Sequence, residues 1–89
     1  MLRVEDMVHG QWYYVQTSYE WLLKFDKLDP DNLYATRFIR IDQENPEPEN
    51  RTYHNPRSYH KEIRDAVPAE VLRFFPDEKF AEADEYDVY

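Results

Sequence analysis

The chain has 89 residues, a length that suits one domain and not two, so we expect residues 1–89 to form a single domain. It contains no cysteine, which excludes a disulfide framework and a thiolate metal site, and no apolar run reaches the roughly 20 residues that a membrane span needs. The 19 acidic and 11 basic residues give a net charge of −8, which opposes binding to a duplex phosphate backbone. We therefore expect a cytoplasmic protein that binds neither membranes nor, directly, nucleic acid.

The first 42 residues predict a β-meander. Gly10 is the only glycine and precedes an aromatic run, so it marks a turn or bulge where positive φ or close backbone approach is needed. Residues 11–17, 20–28 and 33–41 are rich in aromatic and β-branched side chains, and each predicts a strand. Residues 29–32 combine proline with Asp and Asn and predict the clearest turn.

Alternation assigns faces to the second and third strands. In the second strand one face carries Trp21, Leu23 and Phe25, which we expect to lie in the core. In the third strand the odd positions form an apolar face that Arg37 interrupts: Leu33, Ala35, Ile39 and Ile41. Tyr34 and Phe38 lie opposite, so we expect this strand to be covered on both sides near its middle.

The acidic residues concentrate in two segments. Residues 42–50 contain four acids, two prolines and no apolar side chain, which predicts an exposed loop. Residues 82–89 predict a frayed acidic tail, and from residue 77 onward Lys79 is the only cation. The candidate partner-binding carboxylates are Glu44, Glu47, Glu49, Asp77, Glu78, Glu82, Asp84, Glu85 and Asp87. These acids form either a solvated surface or a phosphate-like array that occupies a basic groove on a nucleic-acid-binding partner.

Residues 51–64 reverse the charge and predict one or two short strands around a turn at residues 55–56. Basic and aromatic side chains alternate here and form an alternative site for a nucleotide: Arg51, Tyr53, Arg57, Tyr59 and Lys61. In so acidic a chain, such cations also pair with neighbouring carboxylates. His54 and His60 approach each other if the two strands form a hairpin, but their spacing matches no metal motif, and we expect no metal or cofactor.

The aromatic content is high, with two Trp, eight Tyr and five Phe, more than a domain of this size is expected to bury completely. Both faces of the predicted strands carry aromatic residues. A helix that covers one face alone would leave the other set exposed. The tyrosines that would then anchor a protein partner are Tyr13, Tyr14, Tyr19 and Tyr34.

One helix is predicted near the C-terminus. Pro68 suits its first position, where a missing N–H costs nothing, and Glu70 suits the positive end of the helix dipole. The face expected to dock on the sheet comprises Val71, Leu72 and Phe75, and Pro76 ends the helix. The fold class is therefore α+β, a small antiparallel sheet of three to five strands, open or closed as an SH3-like barrel, with one C-terminal helix. No glycine-rich loop or catalytic triad spacing is present, so we expect no enzymatic activity.

The segment Ile63-Arg64-Asp65-Ala66-Val67-Pro68-Ala69-Glu70-Val71, followed by Phe74-Phe75 and Lys79-Phe80, resembles the closing segment of many small tailed-bacteriophage proteins. Those proteins end in an Ile-Arg-x-Ala-Thr-Pro-Glu-Glu-Ile helix and a Lys-Phe pair. Residues 10–41 resemble their N-terminal halves, with a Gly, a Tyr-rich strand, a second strand and a polar turn. The chain departs from the pattern at Val67, where Thr would cap the helix; losing a cap costs about 1 kcal/mol.

This resemblance implies a phage accessory protein in the host cytoplasm and brings no catalytic residues. Such proteins commonly inhibit host enzymes or defence systems by direct binding, sometimes as acidic mimics of DNA. The leading hypothesis is a non-enzymatic inhibitor that binds a host protein with a basic nucleic-acid groove. A module that sequesters a nucleotide signal and a virion structural or assembly protein are alternatives. The sequence does not decide whether the chain forms homo-oligomers or whether the two acidic segments share one face.

Overall fold

The computed structural model describes residues 2–56 and 60–80. Five strands form one antiparallel sheet, and one α-helix follows the last strand. The elements are a short 3-10 helix at Val4–Asp6, β1 at Trp12–Gln16, β2 at Glu20–Leu28, β3 at Asn32–Arg40, β4 at Tyr53–Pro56, β5 at Glu62–Asp65 and α1 at Pro68–Phe74. The predicted α+β class, with three to five antiparallel strands and one C-terminal helix, is confirmed.

The strand order is β4-β3-β2-β1-β5. The first four strands form a meander, and β5 returns to the far edge, where Ile63 pairs with Val15 of β1. The predicted turn at residues 55–56 is wrong, because Asn55 and Pro56 lie within β4. Since β4 and β5 occupy opposite edges and no pairing joins them among the described residues, the sheet is open and an SH3-like barrel is not confirmed.

The turn before β1 depends on Gly10. Its φ is 83°, which is one of the two reasons for a glycine that the sequence leaves open, and its N–H donates to the Phe25 carbonyl at 2.8 Å. The N–H of Phe25 donates in return to the Gln11 carbonyl at 2.9 Å, so the turn is tied directly to β2. The segment that precedes it differs from the expected start of the meander, because residues 4–6 form a 3-10 helix instead of a strand.

The pairing of β2 with β3 is irregular at two places, and the first of them is a bulge on β3. Lys24 pairs with Arg37, whereas the next residue of β2, Phe25, pairs with Ala35. Thr36 therefore has no partner across the strands. An extra residue on one strand reverses the face to which the following side chains point, because strand side chains alternate with a period of two.

The bulge corrects the predicted face of β3. Leu33 and Ala35, which precede the bulge, lie in the same apolar cluster as Phe38, which follows it. Ile39 and Ile41 lie in a second cluster on the opposite face. The single face of odd-numbered residues is therefore wrong. The expectation that β3 is covered on both sides is confirmed.

Each face of the sheet carries one apolar cluster. The first contains the buried residues Val4, Met7, Tyr13, Val15, Leu23, Phe25, Leu33, Ala35, Phe38, Tyr53 and Ile63. The second lies beneath α1 and contains Trp12, Tyr14, Leu22, Ile39, Val71 and Phe75. Phe75 is fully buried, with its ring centroid 4.9 Å from that of Trp12, so the end of α1 is fixed over β1.

The helix begins at Pro68, as predicted, and ends at Phe74, before Pro76. Val67 offers no side-chain cap, but its backbone N–H donates to Glu70 Oε1 at 3.0 Å. This bond satisfies one donor of the helix start without the Thr of the phage pattern. Among the described residues, no helix has the length and apolar character to cross a bilayer.

Candidate functional site

Arg37 connects the two acidic segments of the sequence. Its Nε donates to Asn50 Oδ1 at 2.8 Å, at the end of the 42–50 loop. Its Nη1 donates to Glu78 Oε2 at 2.6 Å and its Nη2 donates to Asp77 Oδ1 at 3.1 Å. The guanidinium also lies 4.4 Å from the Phe75 ring centroid, so these contacts form on the α1 side of the sheet. The end of the loop and the start of the C-terminal acidic segment are thus neighbours.

Glu78, a residue of the C-terminal acidic segment, also pairs with Lys24 of the sheet. Its side chain is only 9% exposed, and Lys24 Nζ donates to Oε1 at 2.7 Å. Burial acts to raise the pKa of Glu78, but hydrogen bonds from Lys24 and Arg37 outweigh it and hold that pKa below its ordinary value. The Trp12 indole nitrogen contributes in the same direction, although it lies outside hydrogen-bonding geometry with any described residue.

Two of the C-terminal acids have cationic partners from outside their own segment. Asp77 and Glu78 bind cations of the sheet, and Glu78 is too enclosed to reach a partner. Asp77 remains 71% exposed beside Arg37. The other predicted acids of this segment lie outside the described residues: Glu82, Asp84, Glu85 and Asp87.

The 42–50 loop is attached to the sheet at both ends. Asp42 lies 2.8 Å from Arg40 at its start, and Glu49 exchanges backbone hydrogen bonds with Phe38 near its end. The Glu49 carboxylate also pairs with Arg51 at 2.5 Å. Between these attachments Glu44 and Glu47 are exposed, and neither has an ion-pair partner among the described residues.

The loop lies beside α1. Glu44 and Pro46 line a groove together with Val67, Arg73 and Phe74 of the helix region, enclosing a cavity of about 530 Å³. The middle of the loop, the outer side of α1 and the exposed carboxylate of Asp77 therefore belong to one side of the molecule. We call the face formed by residues 42–50, α1 and residues 77–78 the acidic face.

Two of the four candidate tyrosines are not exposed. Tyr13 and Tyr14 are 3% and 8% exposed, because the first apolar cluster covers one sheet face and α1 covers the other. The Tyr13 hydroxyl accepts a hydrogen bond from the Val8 N–H at 2.7 Å, and the Tyr14 hydroxyl donates to Glu20 at 2.7 Å. The prediction that these two residues could anchor a partner is therefore wrong.

The other two tyrosines differ in exposure. Tyr34 is half-buried, with its ring centroid 4.3 Å from that of His54. Tyr19 is 45% exposed, and the Arg40 guanidinium lies 3.7 Å from its ring centroid. Since Arg40 also pairs with Asp42, Tyr19 stands next to the start of the 42–50 loop. Of the four candidate tyrosines, Tyr19 is the most exposed.

The alternative nucleotide-binding set is only partly brought together. Arg51 pairs with Glu49, as expected for a cation in an acidic chain. Tyr53 is buried in the first cluster, and Lys61 is exposed. Arg57 and Tyr59 lie outside the described residues.

Tyr53 and Lys61 line one cavity of about 460 Å³. Its other walls come from the β1–β2 turn, from Trp21 of β2 and from Asn55 of β4. Sequence reasoning did not assign Thr17, Trp21 or Asn55 to this site, because they belong to elements far apart in the chain. No local sequence pattern could have brought them together.

His54 and His60 do not form the approach across a hairpin that the sequence allowed. His54 meets the Tyr34 ring edge to face, whereas His60 Nε2 lies 3.0 Å from Asn55 Nδ2. In residues 2–56 and 60–80, no group of three or more His, Cys, Asp or Glu side chains is arranged to hold a metal ion. The chain matches no family model, and no curated protein or solved structure is detectably similar to it.

Proposed function

We propose that the chain is a non-enzymatic inhibitor that binds a basic surface of another protein through its acidic face. The phage resemblance of residues 63–80 favours a host protein, with the basic groove of a nucleic-acid-handling enzyme as the target surface. The observation that supports this most is the set of Arg37 contacts, because they place the 42–50 loop beside residues 77–78.

The distribution of ion pairs supports a negative binding surface. Most basic side chains of the described residues are already paired within the chain: Arg3 with Asp6, Lys24 with Glu78, Lys27 with Asp29, Arg37 with Asp77 and Glu78, Arg40 with Asp42, Arg51 with Glu49 and Arg64 with Glu70. The excess charge therefore rests on acids without such partners. Glu44 and Glu47 are two of them, and both lie on the acidic face. Such a field steers a basic partner and accelerates its encounter.

Tyr19 supplies the apolar contact that charge alone does not. Interface energy concentrates in a few aromatic or Arg anchors, whereas exposed charges contribute mainly to the rate and selectivity of binding. The exposed ring of Tyr19 is held by Arg40 at the start of the loop. Because its position is fixed before binding, little side-chain entropy is lost when a partner covers it.

The test compares capture of partners from bacterial lysate by the wild-type chain and by a Glu44→Gln/Glu47→Gln variant. The control variant is Asp31→Asn/Asp65→Asn, which makes the same change in charge at two exposed positions away from the 42–50 loop. The affinity of the captured protein is then measured over a range of salt concentrations. We expect the loop variant to bind more weakly at low salt and to depend less on salt, and the control to match the wild type.

Equal binding of the loop variant and the wild type at every salt concentration would contradict the proposal. A Tyr19→Ala variant tests the anchor separately, with an expected loss of about tenfold or more in affinity that does not depend on salt. Mass spectrometry of purified phage particles addresses the structural alternative. A fixed copy number of this chain in each particle would identify it as a virion protein and would contradict the inhibitor proposal.

A further inference from the structure

The cavity between the β1–β2 turn, β4 and Lys61 has a volume of about 460 Å³. This lies within the roughly 300–1,000 Å³ of typical small-molecule sites. Aromatic rings, hydrogen-bonding side chains and one cation line it together. We propose that this cavity binds a mononucleotide, with the base against its aromatic wall and the phosphate at Lys61. The site shares Tyr19 with the interface proposed above, but none of the carboxylates of the acidic face lines it.

The charge around the cavity favours an anion. None of the side chains that line it is a carboxylate, although the chain carries a net charge of −8. Four other cavities of the described residues each include at least one carboxylate side chain. Lys61 is exposed and has no ion-pair partner among the residues that the structure describes. An ammonium without a partner is available to bind a phosphate.

The Tyr53 hydroxyl provides an unused hydrogen-bonding group. Tyr53 is 8% exposed, yet its hydroxyl bonds to no described residue, which is unusual for a buried tyrosine. Trp12 Nε1 is the one side-chain polar atom of the described residues that is both sealed from solvent and unpartnered. The Tyr53 oxygen is therefore not sealed from solvent, and Tyr53 is one of the residues that line the cavity. Burial raises the pKa of Tyr53, so this hydroxyl stays protonated and can donate.

The aromatic wall is fixed in place. The Trp21 indole Nε1 donates to Thr17 Oγ1 at 3.2 Å, and its ring lies 4.8 Å from that of Tyr53 between centroids. Tyr19 meets the Trp21 ring edge to face at 6.4 Å. Rings held in this way stack on a planar base at little entropic cost. The amide of Asn55 stands at the same wall and can contact the edge of the base.

The residues around the cavity favour a single nucleotide over a length of single-stranded nucleic acid. Glu62 follows Lys61 directly and is exposed, and Asp42 lies near Tyr19 through its pair with Arg40. A second and third phosphate would meet these carboxylates, which oppose the basic track that single-stranded nucleic acid requires. The chemistry of this site therefore suits a single phosphate that carries a planar base.

The direct test adds ribonucleoside monophosphates to the full chain, with calorimetry and NMR chemical shifts as readouts. Nucleosides without phosphate and inorganic phosphate alone form two further arms. We expect at least one monophosphate to bind. The nucleoside alone and inorganic phosphate alone should each bind at least about tenfold more weakly than that monophosphate. The largest shifts should fall on the Trp21 indole N–H and on Lys61. Absence of binding by every monophosphate at millimolar concentration, or equal binding of the nucleoside, would overturn the proposal.

Two variants locate the site. Lys61→Gln should lower the affinity about tenfold by removing a charge-assisted contact. Tyr53→Phe should lower it several-fold without loss of stability, because no hydrogen bond within the described residues is broken. Lys79→Gln, which makes the same change in charge at another exposed position, is the control and should bind as the wild type does. Equal effects of Lys61→Gln and Lys79→Gln would overturn the site. If an oligonucleotide binds far more tightly than any mononucleotide, the cavity belongs to a binding site for single-stranded nucleic acid and the mononucleotide proposal is wrong.

Discussion

Glu78 accepts a hydrogen bond of 2.7 Å from Lys24, a residue 54 positions earlier in the chain. Arg37 donates to the second oxygen of the same carboxylate. The segment after α1 is thus held on the sheet by two cations that share one nearly buried anion. Removing one member of such a cluster leaves the remaining charges partly desolvated and without compensation, which costs more than the pair contributes when intact.

We predict that Glu78→Gln lowers the free energy of unfolding by about 1–3 kcal/mol, because Lys24 and Arg37 lose their shared anion at a site with little access to water. Urea unfolding followed by tryptophan fluorescence measures this change. Asp77→Asn is the matched control, since Asp77 contacts the same Arg37 but is largely exposed. Its expected effect is within about 0.5 kcal/mol. Equal losses in the two variants would show that burial does not decide the strength of these contacts.

We predict that the chain loses stability in acid. Burial opposes it, but Lys24 and Arg37 hold the pKa of Glu78 below its ordinary value of 4.5, and Arg64 and the Val67 N–H do the same for Glu70. A carboxyl with a lowered pKa in the folded state contributes stability above its ordinary pKa and loses it as the pH falls through the lowered value. Melting temperatures should therefore decline below pH 4.5. The Glu78→Gln variant should decline less steeply; parallel curves would contradict this account.

A second loss of stability is predicted at high pH. Burial, together with the hydrogen bond to Glu20, raises the pKa of Tyr14 from 10.0 to about 12, and burial raises that of Tyr53. A tyrosine with a raised pKa contributes stability that is fully present below pH 10.0 and declines as the pH rises toward the folded value. Tyrosinate absorbance should show late titration of part of the tyrosines. Tyr14→Phe should remove part of that late phase, and an unchanged titration would exclude Tyr14 as a contributor.

Gly10 permits a separation of backbone strain from steric crowding. No heavy atom lies within 4 Å of the position that a Cβ would occupy, while φ is 83°. We predict that Gly10→Ala costs about 1 kcal/mol through the backbone alone. Gly10→Asn should cost less, because Asn adopts left-handed conformations more readily. Chemical denaturation of both variants measures the difference, and equal costs would argue against a purely conformational origin.

Features with local causes were predicted well from the sequence. The bounds of β2 follow from its alternation, the turn at Gly10 follows from the conformational freedom of glycine, and the helix start follows from Pro68. Each depends on residues that are adjacent in the chain. Local patterns of this kind determine an element before its partners are known.

Features that depend on distant partners were missed. The bulge at Thr36 depends on how β3 registers with β2, and alternation within β3 alone cannot reveal it. The sequence predicted one or two short strands around a turn at residues 55–56. It could not show that β5 pairs with β1, since a turn signal does not tell which edge the next strand joins. Tyr13 and Tyr14 were candidates for exposure because the cover on both sides that was predicted for β3 was not extended to β1.

The candidate sites show the same division. The sequence identified the acidic segments and the pair of Tyr53 with Lys61, which lie close together in the chain. It could not show that Arg37 joins the two acidic segments, nor that Trp21 stands beside Tyr53. Both relationships arise from strand pairing between residues that are separated in sequence.

The open sheet also limits how two copies of this chain can associate. Its edge strands, β4 and β5, are four residues long each, and β4 ends on Pro56, which has no N–H to donate. A second chain that extended the sheet would find a short and interrupted ladder of hydrogen-bonding groups, the arrangement with which natural sheets resist fibril growth. We therefore expect any dimer of this protein to form through side-chain contacts and not by the addition of strands at these edges.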